Sequence, residues 1–98
     1  MESYSDQPMV SQLRSQIESI MLVIDTPATV ADLAGALHAA PEDIASVLKE
    51  WAEELNHRGS GMDLRETAES WRLYTRPENA DAVEAFLVDG TQTRLSRA

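Results

Sequence analysis

Apolar residues recur at helical spacing between residues 10 and 55, and alternate with polar residues between residues 62 and 74. Asp25-Thr26-Pro27 and a linker ending at Pro41 divide the helical part into three stretches. Each stretch has the spacing of a helix that buries one face, and we expect the first to begin near Met9. The apolar positions are Val10, Leu13, Ile17, Ile20, Met21 and Ile24; then Val30, Leu33, Ala34 and Leu37; then Ile44, Val47, Leu48, Trp51 and Leu55.

Residues suited to helix ends mark the second and third helices. The hydroxyl of Thr29 is placed to cap helix two, and Asp32 lies in the first turn, where the helix dipole favours negative charge. Pro41 suits the first position of helix three, and Gly59 is expected to end that helix. The short linker between these two helices predicts a helix-turn-helix corner.

Two alternating segments follow the Gly59–Gly61 break and predict a β-hairpin. Met62 and Leu64 share one face of the first strand, and Trp71 and Leu73 share one face of the second. Residues 68–70 are left for the turn. Because an isolated two-stranded ribbon is only marginally stable in water, its apolar face is expected to pack on the preceding helices.

The remaining segments complete the predicted domain organisation. Pro77 can open a fourth helix that Gly90 closes, with an apolar face formed by Ala82, Val83, Phe86 and Leu87. We therefore predict a mainly α, α+β winged helix of three helices, a two-stranded hairpin and a C-terminal helix. Residues 1–8 are assigned to a flexible N-terminus, 9–89 to the winged-helix domain and 90–98 to a linker or tail.

Charge bears on the choice of partner. The chain has 17 acidic and 8 basic side chains, a formal net charge of -9, and helix three alone has five acids against Lys49. This opposes binding to a polyanion, because neutralising phosphates supplies much of the affinity for DNA. A winged-helix DNA-binding transcriptional regulator is the alternative, with Arg65 and Arg72 on the wing as its contacts. Those arginines can instead pair across the hairpin with Glu66 and Glu69.

The sequence contains little that would support catalysis. Cysteine is absent, and His38 and His57 lack the spacing of a metal motif, so no catalytic residue, metal ligand or cofactor is predicted. The longest apolar run, residues 20–24, is far too short to span a bilayer, and the N-terminus has no basic region. We expect a cytoplasmic protein that is not an enzyme.

Three residues are candidates for a protein interface. Leu22 and Val23 lie well off the core face of helix one. Either the hairpin and helix four cover them, or they form an interaction surface. Tyr74 lies on the face of its strand opposite to Trp71, where we expect it to be exposed, and is either an interface anchor or an ordinary sheet residue.

Three segments, residues 16–29, 32–34 and 61–77, resemble the segregation and condensation protein B (ScpB) family. The most specific of the matching residues are 71–77, Trp-Arg-Leu-Tyr-Thr-Arg-Pro. The resemblance runs from about residue 12 to the end of the chain, where residues 95–98 look like the start of that family's second domain.

The resemblance implies a function based on protein contacts. ScpB proteins have two winged-helix domains, and this chain resembles the first. They are non-enzymatic, pair with themselves largely through this domain, and bind the kleisin ScpA. ScpA in turn bridges the heads of the SMC ATPase in bacterial chromosome condensation and segregation. The resemblance therefore implies a homodimer that reaches SMC and the nucleoid through ScpA, with little or no direct DNA binding and no membrane partner. We expect homodimerisation to use Leu22 and Val23.

Overall fold

The computed structural model describes the backbone of residues 9–97 and the side chains of residues 9–89. It confirms the predicted winged helix, with one strand more than expected. The elements in chain order are α1 (Gln12–Val23), β1 (Ala28–Thr29), α2 (Val30–Leu37), α3 (Pro41–His57), β2 (Met62–Thr67), β3 (Ser70–Thr75), a 3₁₀ turn (Pro77–Asn79) and α4 (Ala80–Arg97). The expectation of a flexible terminus at residues 1–8 lies outside the described residues.

Hydrogen bonds at the helix ends fix the positions of α1 and α2. The Ser11 hydroxyl accepts a hydrogen bond from the backbone N–H of Arg14 at 3.1 Å, so α1 begins at Gln12 rather than near Met9. The Thr29 hydroxyl accepts from the backbone N–H of Asp32 at 3.0 Å, which confirms the predicted cap of α2. Both helices thus start where a side-chain oxygen satisfies a free amide.

The ends of α3 also follow the sequence signals. Pro41 is its first residue, and Gly59 follows its end with a φ of 65°. That left-handed conformation costs glycine little, because glycine has no Cβ atom to clash with the following carbonyl. The predicted corner between α2 and α3 is therefore present, with His38 ending α2 at a φ of 54°.

A third strand, β1, was not predicted. It pairs antiparallel with β3 through Ala28 and Trp71 and through Thr29 and Ser70, giving the sheet order β1-β3-β2. Two residues are too few to show alternation, and their pairing depends on the hairpin folding back onto the end of α1. Backbone hydrogen bonds therefore join the hairpin to the segment between α1 and α2, and apolar side chains pack it against the helices.

The hairpin turn is one residue shorter than predicted. Ser70 belongs to β3 and pairs with Thr67, so only Ala68 and Glu69 form the turn. Both have positive φ, 50° and 70°, as in the tight turns that match the twist of antiparallel strands. Of the four apolar residues expected on the inner face, Met62 is 39% exposed, because it lies at the open end of the ribbon beyond the core.

A single apolar cluster joins the three helices and the sheet. Its buried members come from α1, α2, α3 and all three strands. They are Ile17, Met21, Ala28, Leu33, Ala34, Ile44, Leu48, Trp51, Leu55, Leu64 and Trp71. The predicted stripe of α3 is confirmed, with Val47 half-buried at its edge. Trp71 is a core residue, as expected for an aromatic on the inner face of the wing.

The fourth helix differs from the prediction in length and in burial. It continues through Gly90 to Arg97, since one glycine costs a helix only about 1 kcal/mol and no proline follows it. Its predicted apolar face does not join the core: Phe86 and Leu87 are 66% and 57% exposed, and Val83 also faces solvent. The assignment of residues 90–98 to a linker or tail remains a prediction.

Candidate protein-interaction site

The C-terminal end of α1 presents two adjacent apolar side chains to solvent. Leu22 and Val23 are 72% and 79% exposed, while Ile17 and Met21 on the same helix are buried. Successive residues on a helix lie about 100° apart, so residues 22 and 23 follow Met21 around the helix and away from the core. Neither the hairpin nor α4 covers them, which removes the alternative in which those elements bury this surface.

A groove lies beside this end of α1, on the side facing α2. It encloses about 280 Å³ and is mainly apolar, with Asp32 as its one acidic member. Its walls come from the end of α1, the segment leading into β1, and α2. The lining residues are Ile20, Ile24, Thr26, Pro27, Ala28, Asp32, Leu33 and Ala36. The groove and the exposed pair Leu22 and Val23 together form the apolar end of α1.

The outer face of the wing places Tyr74 beneath two arginines. The guanidinium carbon of Arg65 lies 4.2 Å from the centre of the Tyr74 ring, and that of Arg72 lies 5.7 Å from it. Asp63, directly across from Tyr74, accepts a salt bridge from Arg65 Nε at 3.2 Å. Tyr74 is therefore half-buried rather than fully exposed.

The expected pairing of the wing arginines with glutamates is wrong. Arg65 and Arg72 lie directly opposite each other across the two strands, and Glu66 lies opposite Trp71 on the inner face of the ribbon. Alternation decides this, because residues 65 and 66 must point to opposite sides of the sheet. Both guanidinium groups instead lie over the Tyr74 ring, and that of Arg65 also pairs with Asp63.

The surface of α3 is acidic, as the sequence indicates. Lys49 and all five acids of the helix are exposed; the acids are Glu42, Asp43, Glu50, Glu53 and Glu54. One of them is used within the fold: the guanidinium of Arg14 on α1 donates to Glu54 and, through Nε at 2.8 Å, to Glu18. The hydrogen bond from Arg14 lowers the pKa of Glu54 below its usual value. This ion pair, which joins α1 to α3, was not predicted, since residues 40 positions apart carry no local signal.

A second arginine fixes the wing to the end of α3. The Arg76 backbone N–H donates to the carbonyl of Gly61 at 2.9 Å, and its Nε donates to the carbonyl of Ser60 at 2.8 Å. Its Nη1 atom also lies 3.8 Å from Asp63. Arg76 therefore has a structural role, because it joins the base of the wing to the segment that follows α3.

Within residues 9–89, neither histidine lies in a candidate catalytic or metal-binding site. His38 lies at the C-terminal cap of α2 and His57 is the last residue of α3, and both are exposed. Among the side chains of residues 9–89, no three histidine or acidic groups gather where they could hold a metal ion. Within the described helices, none combines the length and the hydropathy needed to cross a bilayer.

Comparison with known proteins identifies the family. The family model described as "Segregation and condensation complex subunit ScpB" matches residues 15–98. The chain belongs to the ScpB family. Segregation and condensation protein B of Syntrophotalea carbinolica is 38% identical over 87 residues, which are 89% of this chain and 44% of that protein. The protein of the same name from Desulforamulus reducens is 32% identical over 87 residues, covering 89% of this chain and 48% of its own.

Solved ScpB structures share the fold. ScpB from Mycobacterium tuberculosis is 42% identical and superposes with a TM-score of 0.79, covering 86% of this chain and 54% of that one. A dimer of the ScpB N-terminal domain complexed with a ScpA peptide superposes with a TM-score of 0.68 at 18% identity, covering 74% of this chain and 91% of that one. This chain spans about half the length of the ScpB relatives it matches.

Proposed function

We propose that this chain is a non-enzymatic, dimer-forming domain of an SMC–kleisin complex that binds the kleisin ScpA in bacterial chromosome condensation and segregation. The observation that carries the proposal is the exposure of Leu22 and Val23 on α1 of a ScpB-family winged helix. Contact with SMC is then indirect, through ScpA, and localisation to the nucleoid follows from the complex.

The energetics favour self-association through this end of α1. Burying one exposed leucine or valine side chain fully is worth about 1.5–3 kcal/mol. In a twofold dimer both copies contribute the same residues, so Leu22 and Val23 are each counted twice. Because the side chains project from a packed helix, association need not order the backbone, and the opposing costs are the lost side-chain rotamers and the lost overall rotation and translation. The solved ScpB N-terminal domain, which has the same fold, was crystallised as a dimer, and this supports the proposal.

Binding to ScpA is supported by the same structure, in which an ScpB N-terminal domain dimer holds a ScpA peptide. The present chain shares the fold of that domain, and this likeness is what supports a kleisin contact.

The DNA-binding alternative is opposed by the charges on α3. In a DNA-binding winged helix this helix enters the major groove and supplies donors to phosphates and base edges. Here its outer surface presents Lys49 among five acids, which the phosphates would repel. Arg65 and Arg72 are the positive groups of the wing, and Asp63 already pairs with Arg65.

Sedimentation of the purified chain tests the proposed dimer. We expect the wild type to form dimers and the double variant Leu22→Asp, Val23→Asp to be monomeric, with an unchanged circular dichroism spectrum because both residues are exposed. The matched control is Ser46→Asp, Asn56→Asp, which adds the same charge to exposed positions of α3. A wild type that is strictly monomeric at high concentration, or a double variant that still dimerises, would contradict this mechanism.

Co-purification with ScpA tests the partner, and a gel-shift assay tests the alternative. We expect tagged ScpA to retain the chain at moderate salt. A failure to retain it at any protein concentration would refute the kleisin contact. A shift of duplex DNA at low salt that disappears when Arg65 and Arg72 are changed to glutamine would instead favour the DNA-binding regulator.

A further inference from the structure

Two apolar surfaces of this chain have no partner in the described structure. One is the groove between the end of α1 and α2, of about 280 Å³. The other lies on α4, where Val83, Phe86 and Leu87 occupy positions i, i+3 and i+4 and face solvent. This spacing is the one by which a helix inserts apolar side chains into a groove. The chain therefore carries both a helix face of the right pattern and a groove that could receive it.

The volume of the groove is close to that of an aromatic side chain together with part of a neighbouring apolar side chain. A cavity of about 150 Å³ in a protein core accepts a benzene molecule. The groove here is nearly twice as large, so it could hold the ring of Phe86 together with much of Leu87. Its walls are apolar apart from Asp32 and Thr26, and an apolar occupant would leave few buried polar groups unpaired.

The fold keeps α4 away from the groove of its own chain. Ala28 lines the groove and pairs with Trp71 near the start of β3. The helix follows the other end of β3, beyond Thr75, after the 3₁₀ turn. At about 3.3 Å per residue, the strand carries the chain more than 10 Å from the groove before α4 begins. Consistent with this, Phe86 and Leu87 are exposed rather than packed on their own domain.

A second copy of the chain satisfies both surfaces at once. We propose that Phe86 and Leu87 on α4 of one copy occupy the α1–α2 groove of a second copy, and that the exchange is reciprocal. In a twofold dimer, each groove receives α4 of the other copy, so that both apolar surfaces are buried. Ile20 lines the groove and lies three residues before Val23 on α1, so the two side chains are neighbours on the helix surface and the contact adjoins the proposed dimer surface. This inference rests on the proposed dimerisation and adds the residues that complete it.

Charge substitutions test the two sides of the contact. Phe86→Asp on the helix and Ala36→Asp in the groove should each weaken the dimer at least tenfold in sedimentation equilibrium. Both positions are exposed in the single chain, so the folded domain is expected to tolerate them. Val88→Asp is the control for the helix, because residue 88 is exposed but lies about 140° around α4 from residue 83. Ala31→Asp, also exposed and on α2 but outside the groove, is the control for Ala36.

Cysteine cross-linking tests which surfaces meet, since the chain has no native cysteine. Two single variants, Ala36→Cys and a tagged Val83→Cys, are mixed and treated with a short bismaleimide. We expect a covalent heterodimer joining the tagged and untagged chains. In the control mixture, Ala36→Cys is combined with Glu69→Cys at the wing tip, and no such product should form above background.

Ionic strength supplies a further readout. Each copy carries a formal charge of -9, and the proposed contact adds no opposite charges to offset it. We therefore expect the dimer to become tighter as salt screens the repulsion between copies. Weakening of the dimer by salt would contradict an apolar exchange and point to ion pairs.

The outcomes separate this inference from the proposed function. We expect the wild type to dimerise and the Leu22 and Val23 double variant to remain monomeric. If this is found, but the cross-link is absent and Phe86→Asp has no effect, the exchange of α4 is refuted and dimerisation through Leu22 and Val23 is supported. If the wild type is monomeric, both are refuted. If Phe86→Asp spares the dimer but abolishes retention on ScpA, α4 binds the kleisin, and the second copy is refuted as its partner.

Discussion

The turn of the wing offers a direct test of the backbone geometry. Ala68 and Glu69 both have positive φ, at 50° and 70°, where residues other than glycine are disfavoured by about 1–2 kcal/mol each. Asn-Gly is the preferred pair for a two-residue turn of this kind. The double variant Ala68→Asn, Glu69→Gly should therefore stabilise the domain.

The expected gain follows from two opposing terms. Glycine at residue 69 relieves about 1–2 kcal/mol of strain but loses about 0.5–1 kcal/mol of additional backbone entropy on folding. Asparagine at residue 68 tolerates the left-handed region better than alanine does and adds a smaller gain. We expect a net stabilisation of about 1 kcal/mol, which corresponds to a rise in Tm of about 4–8 °C for a domain of this size.

Thermal unfolding followed by circular dichroism measures this effect. The matched control is Glu66→Gly, which removes the same side chain and charge from an exposed position of β2 next to the turn. Glycine within a strand should lower the stability by about 0.5–1 kcal/mol. If Glu69→Gly lowers Tm as Glu66→Gly does, residue 69 does not have a positive φ, and the reasoning fails.

Three other predictions concern stability. Leu48→Ala, at a fully buried position, should cost about 2–5 kcal/mol in urea unfolding, whereas Leu87→Ala on the exposed face of α4 should leave the stability of a single chain nearly unchanged. Gly59→Ala should cost about 1 kcal/mol by the same measurement, because its φ of 65° strains any residue with a Cβ atom. The hydrogen bond from Arg14 lowers the pKa of Glu54, so the stabilisation from this pair is present above about pH 4.5 and is lost as the pH falls below it. Glu54→Gln should accordingly reduce the loss of stability between pH 5 and 3 seen by chemical denaturation, and an unchanged acid profile would show that the pair contributes nothing.

Local signals in the sequence were enough to predict the main helices and the hairpin. The caps at Thr29 and Pro41 and the helical spacing of apolar residues placed α2 and α3 correctly, because those interactions lie within one turn of the chain. The short strand β1 could not be found in this way, since its pairing depends on where β3 lies in the folded molecule. The same holds for the ion pair between Arg14 and Glu54.

The candidate site was predictable only in part. Helical geometry alone placed Leu22 and Val23 off the core face, and they are exposed. Periodicity also showed that α4 has an apolar face, but it could not show that this face would meet no other element of the domain. Tyr74 was expected to be exposed, yet flexible arginine side chains fold over its ring, and such contacts between side chains leave no pattern in the sequence.

The distribution of charge and apolar surface in this winged helix differs from that expected of a DNA-binding one. A DNA-binding member would place its cations on α3 and its wing, where the duplex lies. Here α3 is lined with exposed acids, and the wing arginines stack on Tyr74 beside Asp63. The excess apolar surface lies instead at the end of α1, in the adjoining groove and along α4. Because apolar burial is insensitive to the sign of the net charge, a net charge of -9 does not prevent association through these surfaces, while the acids on α3 disfavour the binding of nucleic acid there.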